Sequence, residues 1–594
     1  MQLVNEVHFK GHLFYLFFPP PCLFYEWLES RFCPPPFAAQ LFGRLLCSDF
    51  FYLSENQFPC YNHLMESRRH LPIGLQDFKN VRTRNCVYVD KTRFVYEMAN
   101  DNHPYFLSRP RRFGKSLLLS TMYYYFLGQK ELFEGLALGE LEKDWVEYPV
   151  FRISFGGGGF EDDAHLKKYL NRVLSEFEKK YEISISDYDI ENYSGRLETL
   201  MNVAQEKTGK QVVVLIDEYD KPILDAVYSE YEEKNRSILR DFYSPLKDNE
   251  DSLRFLFITG ITKVSNVNIF SGLNQLDDIS LTNKYSTICG ISETELEEYF
   301  QPEIACLASE QKMTVEEAKQ KLAKIYDGYH FSPESEGVYN PFCLLKCLND
   351  SDFGSYWFES GTPSFLVKTL QNQPLQLQSI LNGRKATEEQ FKNYDPESKN
   401  MLPVIYQSGY LTIKDFQKER RIYTLGFPNE EIEKGFLNAV LKKFVKVPDD
   451  DLGLAIDNLC IALTENNIDR ALRIIQAAIA DLPTVIQKNM CENYYESVTH
   501  VMFRMTGFDV VSELQNQYGR SDVIVTLPNA VYIFELKMDK GRAFEEVAEE
   551  AEEGLAQIDE KGYSDRFAVS GKAMHKIALV FSSEGKGLLG WKVK

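Results

Sequence analysis

Two stretches of this chain place residues at spacings that suit phosphate chemistry. In the first, Ser108-Arg109-Pro110-Arg111-Arg112-Phe113-Gly114-Lys115-Ser116 lies between the apolar Tyr105 to Leu107 and the helical Leu117 to Phe126. A strand, a loop ending in Gly-Lys-Ser and then a helix present backbone N–H groups and a helix N-terminus to phosphate oxygens. Lys115, following Gly114, is expected to reach the β- and γ-phosphates, and the Ser116 hydroxyl to ligate Mg²⁺. The glycine usual five positions before Gly114 is here Arg109, so Arg109, Arg111 and Arg112 are candidates for holding phosphate. Further on, Val212-Val213-Val214-Leu215-Ile216 runs into Asp217 and Glu218. Asp217 is expected to hold Mg²⁺ through water, and Glu218 to polarise the attacking water as general base. An acid pair ending a core strand is common by itself; with Gly-Lys-Ser upstream, Mg²⁺-bound ATP becomes the expected ligand. A third strand ends at Thr259, where a γ-phosphate contact and a plain strand-end hydrogen bond are both open readings.

The second stretch is near the C-terminus, where Gly519-Arg520-Ser521-Asp522 opens one strand and Val531-Tyr532-Ile533-Phe534-Glu535-Leu536-Lys537 forms the next. Residues two apart on a strand share a face, so Glu535 and Lys537 point the same way. A hairpin brings Asp522 to that side. Two carboxylates and the Leu536 carbonyl are hard oxygen donors that suit Mg²⁺ or Mn²⁺, and no Cys/His cluster points to zinc. Asp522 and Glu535 are therefore the expected metal ligands, with Lys537 beside the water that the metal activates. Glu492 or Glu496 on the preceding helix, and Glu513 on the preceding strand, are candidate extra carboxylates. The Glu-rich run from Glu545 to Glu553 reads as a solvated helix face.

The elements that must position these residues alternate short apolar runs with amphipathic stretches from Leu71 to about Ser286, which predicts an α/β region with a mostly parallel sheet. Its strands include Val150 to Ser154, followed by the turn Gly156 to Gly159, then Val212 to Ile216 and Phe255 to Thr259. Helices are expected at Glu293 to Tyr299, Val315 to Tyr326 and Leu463 to Ile479, with short strands at Gly409 to Ile413 and Arg421 to Leu425. Toward the C-terminus the pattern predicts strands at Asp509 to Glu513, Asp522 to Thr526 and Val531 to Leu536. A helix from Ala543 to Asp559 and a last strand at Lys576 to Phe581 follow.

The first set of residues resembles the AAA-ATPase-like proteins found widely in bacteria. The resemblance rests on Tyr88-Val89-Asp90-Lys91-Thr92, on Arg109 to Ser116, and on Ile216-Asp217-Glu218-Tyr219-Asp220-Lys221-Pro222. It continues through Thr259-Gly260-Ile261-Thr262-Lys263, Phe270-Ser271-Gly272-Leu273-Asn274 and Tyr326-Asp327-Gly328-Tyr329. It covers about residues 71 to 350 and implies a P-loop ATPase fold, with Arg109 part of the family's own pattern. The C-terminal set resembles the PD-(D/E)XK nuclease superfamily over about residues 490 to 594, with Gln557-Ile558 and Tyr563 similar to its trailing helix. Together they imply an α/β P-loop ATPase domain at 71–290, a mainly helical lid and linker at 291–485 and a restriction-endonuclease-like domain at 490–594.

At 594 residues the chain is long enough for several domains. A net charge of −21 argues against a protein that coats nucleic acid non-specifically and favours a restricted substrate, DNA or RNA. Eleven cysteines without close CxxC pairs point to a reducing cytoplasm. No apolar run reaches the roughly 18 residues of a membrane span; Leu13 to Phe18 is stopped by three prolines. Residues 1–64 hold two triple-proline runs and four cysteines, and are expected to be a non-native or disordered extension before a true start at Met65. The function that follows is an ATP-regulated, Mg²⁺-dependent nuclease. A nucleotide-dependent switch, or a partner-remodelling ATPase whose nuclease-like domain only binds nucleic acid, is the alternative, and assembly into an oligomer is left open.

Overall fold

The computed structural model describes residues 4–9, 12–17, 69–101, 103–184, 190–264, 276–359, 380–381, 383–395, 400–444, 449–479, 492–515, 520–539, 544–582 and 587–594. The chain forms two compact units, Met1–Arg69 and His70–Lys594. In the first, Val4–Phe9 pairs antiparallel with His12–Phe17, two strands that the sequence reading did not anticipate.

The second unit contains a five-stranded parallel sheet, preceded by the helices Phe78–Thr83 and Thr92–Asp101. Its strands are β1 (Tyr105–Ser108), β2 (Val150–Ser154), β3 (Val212–Asp217), β4 (Leu253–Gly260) and the two-residue β5 (Asp277–Asp278). They lie in the order β2-β3-β4-β1-β5. β3 is buried along its whole length, as an unbroken run of Val, Leu and Ile demands of a strand covered on both faces. Because every pairing is parallel, all carboxyl ends reach one edge: Ser154 lies beside Asp217, and Ser108 beside Gly260. That edge is where ligands of open α/β sheets bind. Helix α1 (Lys115–Phe126) leaves the loop after β1.

The middle region is largely helical. Ser292 and Glu295 form a reciprocal capping box that starts the helix Glu293–Tyr299, and Val315–Tyr326 is helical as expected. Two expectations are corrected. The single helix expected over Leu463 to Ile479 is two helices, Asp449–Thr464 and Ile468–Ile479. Asn466 takes a left-handed φ of 57° and the Asn467 side chain caps the second helix through the Arg470 N–H. The strand expected from Gly409 begins only at Thr412, because Gly409 (φ 92°) closes the helix Leu402–Gln407.

The C-terminal sheet runs in chain order: β6 (Asp509–Gln515), β7 (Arg520–Thr526), β8 (Ala530–Met538), β9 (Ala573–Phe581) and β10 (Leu588–Val593). Only β8 and β9 are parallel, and helix α3 (Phe544–Glu560) makes their crossover. Helix α2 (Glu492–Met505) precedes the sheet. β10 is a half-exposed edge strand interrupted by Gly590; without alternation it left no strand signal. One apolar core runs from Phe78 through the parallel sheet and the middle region to one face of the C-terminal sheet. The other face, with Ile524, Val531, Ile533, Ala578 and Val580, packs on Ala551, Leu555 and Ile558 of α3.

Candidate phosphate and metal sites

At the edge of the parallel sheet the loop Ser108–Ser116 turns through two left-handed residues, Arg112 (φ 65°) and Gly114 (φ 89°). Gly114 stands at the mouth of α1 without a side-chain cap, so the first N–H groups of the helix are open to an anion. Lys115 is buried, and its Nζ donates to the carbonyls of Arg109 and Pro110 at 2.9 Å each. Burial lowers its pKa, opposed by the charges of Asp217 and Glu218. Ser116 is half-buried in the first helical turn.

Across the edge, Asp217 is 3% exposed and its Oδ1 has no hydrogen-bond partner among the described residues. A buried carboxylate oxygen in that state fits Mg²⁺ or a water that Mg²⁺ holds. Glu218 takes a left-handed φ of 53°, a strained conformation for a side-chain-bearing residue that functional sites tend to retain. Its pKa is raised by burial and then by Asp217, with Lys115 and Arg111 pulling it down. A Cβ on Gly156 would stand 3.3 Å from Glu218 Oε2, so the four-glycine turn gives this carboxylate its room. Asp220 holds the next turn: it is buried and accepts the N–H groups of Ile261 and Thr262 and the Thr262 hydroxyl.

Two of the basic and polar candidates face the protein. Arg109 is 1% exposed, and its guanidinium donates to the carbonyls of Ser108, Ser280 and Tyr285 while lying 4.0 Å over the Phe331 ring. Thr259 is fully buried and its hydroxyl donates to the Leu107 carbonyl at 2.8 Å. Both tie β1 to its neighbours, a duty that residue type and spacing do not disclose. Arg111 and Arg112 are exposed, Arg112 lying 4.0 Å over Phe342. An apolar cavity of about 90 Å³ opens beside Gly114 and Leu117, lined also by Tyr88, Val89, Ile288 and Phe300.

In the C-terminal sheet, β7 and β8 pair from Thr526 opposite Val531 to Val523 opposite Phe534, which brings Asp522 opposite Glu535. Asp522 Oδ2 accepts the Leu536 N–H at 2.7 Å. Glu535 is 1% exposed. Lys537 Nζ lies 3.2 Å from Glu535 Oε1 and 2.6 Å from Gln557 Oε1. These residues continue the face that α3 covers, and Ile558 and Tyr563 are buried in the same cluster. Glu496 on α2 is also buried; the side chains of Glu492 and Glu513, and Gly519, lie outside the described residues, as does Phe270 to Asn274. Among the described residues no group of three or more His, Cys, Asp or Glu is arranged to hold a metal. The pair Asp522 and Glu535 matches Mg²⁺, which keeps several of its waters. Gln557, expected on the trailing helix that packs beside the cleft, contacts Lys537 across twenty residues of chain, a pairing that spacing alone does not show.

Residues 72–270 match the model of a predicted AAA-ATPase family, and residues 490–590 match the PD-(D/E)XK nuclease superfamily. The chain is 34% identical over 537 residues to an uncharacterized protein in the vnfD 5′ region of Azotobacter chroococcum mcd 1, covering 89% of this chain and 99% of that one. The chain belongs to the predicted AAA-ATPase family and carries a C-terminal PD-(D/E)XK nuclease superfamily domain. No solved structure matches it. Among the described residues of this AAA-ATPase-like chain, no helix is long and apolar enough to cross a membrane.

Proposed function

We propose that this AAA-ATPase-like protein hydrolyses ATP and cleaves nucleic-acid phosphodiesters, with nucleotide state governing the nuclease. One observation supports the reading above the rest: Lys115, Asp217 and Glu218 meet at one sheet edge, and Asp522, Glu535 and Lys537 share one sheet face, within a single compact unit. At the first site the triphosphate lies along the N-terminus of α1, and the apolar cavity beside Gly114 takes the base. Lys115 would exchange its loop carbonyls for the β- and γ-phosphates, Ser116 and Asp217 would hold Mg²⁺, which offsets phosphate charge, and Glu218 would take the proton of the attacking water. Arg111 is an exposed cation whose charge lowers the Glu218 pKa.

At the second site Asp522 and Glu535 are the residues to hold Mg²⁺ or Mn²⁺, which would lower the pKa of bound water and offset charge on the phosphate. Lys537 orients the water and stabilises the charge that develops as the water oxygen bonds to phosphorus and the ester oxygen leaves. Purified protein is to be incubated with a panel of DNA and RNA, with and without ATP, in Mg²⁺ or Mn²⁺. Cleavage that needs the metal, changes with ATP and disappears in Asp522→Ala is the expected result. Binding without cleavage would instead favour the nucleotide-dependent switch.

A further inference from the structure

We propose that Gln557 is the positioning residue for Lys537, an inference that rests on the nuclease reading above. A lysine ammonium sits on a flexible four-carbon stem and donates three hydrogen bonds. Left to itself beside Glu535, it would close onto that carboxylate and compete with the metal for the same oxygen. The Gln557 amide oxygen takes the shorter contact, 2.6 Å against 3.2 Å to Glu535 Oε1. With two N–H groups committed in fixed directions, the third has one way to point. A neutral amide does this without adding a carboxylate that would hold the ammonium as a rival ion pair.

The helix is built to deliver that contact. α3 passes close to the sheet at Gly554, where a Cβ would stand 2.8 Å from Ala578 Cβ and 3.5 Å from Lys537 Cγ. Ala578 is the register partner of Glu535 on the neighbouring strand. Glycine therefore lets α3 settle over the two strands that carry the site, and Gln557, three residues on, lies on the same helix face as Gly554. Gln557 itself is half-buried, so its amide is held against the site without being sealed from substrate.

The test uses the full-length protein and Mg²⁺-dependent cleavage of whichever nucleic acid in the panel the parent cuts. Gln557→Met keeps the volume and removes the acceptor; kcat is expected to fall about 10–100-fold, the usual cost of losing an outer-shell partner, with KM and ATPase rate unchanged. Gln557→Glu restores an acceptor and should recover part of that loss. In a Lys537→Ala background, Gln557→Met should cost nothing further, because the two residues act as one unit. Should the Met variant melt earlier than the parent, Gln557→Asn withdraws the acceptor by one methylene and should show the same loss of kcat. A Met variant as fast as the parent overturns the proposal. So does an equal loss in the Lys537→Ala background, which would make Gln557 a packing residue. A parent that cleaves nothing overturns the nuclease reading and this proposal together.

Discussion

Both candidate sites pair a lysine with two acids, yet they are assembled differently. Lys115 is held by two main-chain carbonyls of its own loop, five and six residues away in sequence. Lys537 is held by two side chains, one of them on a helix twenty residues further on. The acids of the first site end a parallel strand at the sheet edge, where α1 also begins; those of the second face each other across a hairpin in the middle of a sheet face. A site made of main chain is fixed once its loop folds and depends little on distant residues. A site made of side chains depends on how a separate helix packs, so its geometry is open to adjustment from elsewhere in the molecule.

The largest effect expected from this contrast is at Glu218. Glu218→Gln should retain ATP binding, because loop and helix are untouched, and lose about 10²–10⁴-fold in turnover. Lys115→Ala should abolish binding itself. Fluorescent-nucleotide titration and phosphate release separate the two, and equal turnover by Glu218→Gln and the parent would remove Glu218 from the general-base role. Its pKa is raised by burial beside Asp217, and a base must be ionised to act. The acid limb of the ATPase pH profile is therefore expected above the ordinary carboxylate range. Arg111→Gln, which removes a charge that lowers that pKa, should move the limb to higher pH still.

Next in size is Lys537→Ala, expected to slow cleavage about 10²–10³-fold while sparing metal binding and the ATPase rate. Asp522→Ala should weaken metal binding itself, which calorimetry with Mn²⁺ resolves. If the ATPase rate falls in parallel with cleavage in either variant, the two sites are not separable in the way their construction implies.

The sequence disclosed the two sites unequally for the same reason. Gly114, Lys115 and Ser116 lie on one short loop and Asp217 and Glu218 at the end of one apolar run, so local spacing carries their geometry. The alternation in β8 shows that Glu535 and Lys537 share a face, and the register with β7 adds Asp522. What spacing does not carry is the destination of a long side chain. Arg109 stands among the candidate phosphate-binding residues in sequence but donates to the carbonyls of Ser280 and Tyr285. Gly156 gives Glu218 its room from the turn after β2, and Gln557 reaches Lys537 from a helix. Edge strand β10 was missed because Leu-Leu-Gly-Trp-Lys-Val does not alternate, whereas the break at Asn466 was legible: Thr464-Glu465-Asn466-Asn467 is a polar run that ends in a capping residue.

Individual buried groups in the two regions should also respond oppositely to acid. His500 on α2 is fully buried with neither ring nitrogen partnered among the described residues, and burial, with Arg504, lowers its pKa to about 3. The unfolded chain takes up a proton below the ordinary histidine value near 6.5 that the folded chain refuses. Its contribution is thus full above that value and is lost as pH falls toward 3, costing about 2 kcal/mol at pH 5. Glu218 and Asp220 are raised by burial, so the folded state holds their protons more readily and acid favours it there. His500→Phe should flatten the fall in stability between pH 7 and 5, followed by urea denaturation at each pH. An unchanged difference between the two pH values would show that His500 is not what makes the C-terminal region acid-sensitive.

The smallest effect expected is at Thr259, and it separates a fold residue from a ligand residue most cleanly. The hydroxyl donates to the Leu107 carbonyl across the β1–β4 pairing, deep enough that no surface remains. Thr259→Val keeps the shape and the branching at Cβ while deleting one buried neutral hydrogen bond, which is worth about 1 kcal/mol. The loss should appear as a lower denaturation midpoint with an unchanged slope, since the surface exposed on unfolding stays the same. ATP turnover per folded molecule should equal that of the parent, because the hydroxyl never leaves Leu107 to meet phosphate. A Thr259→Val protein of full stability but reduced turnover would reverse the assignment. The strand-end hydroxyl would then belong to the nucleotide site, and β4 as well as β3 would carry chemistry.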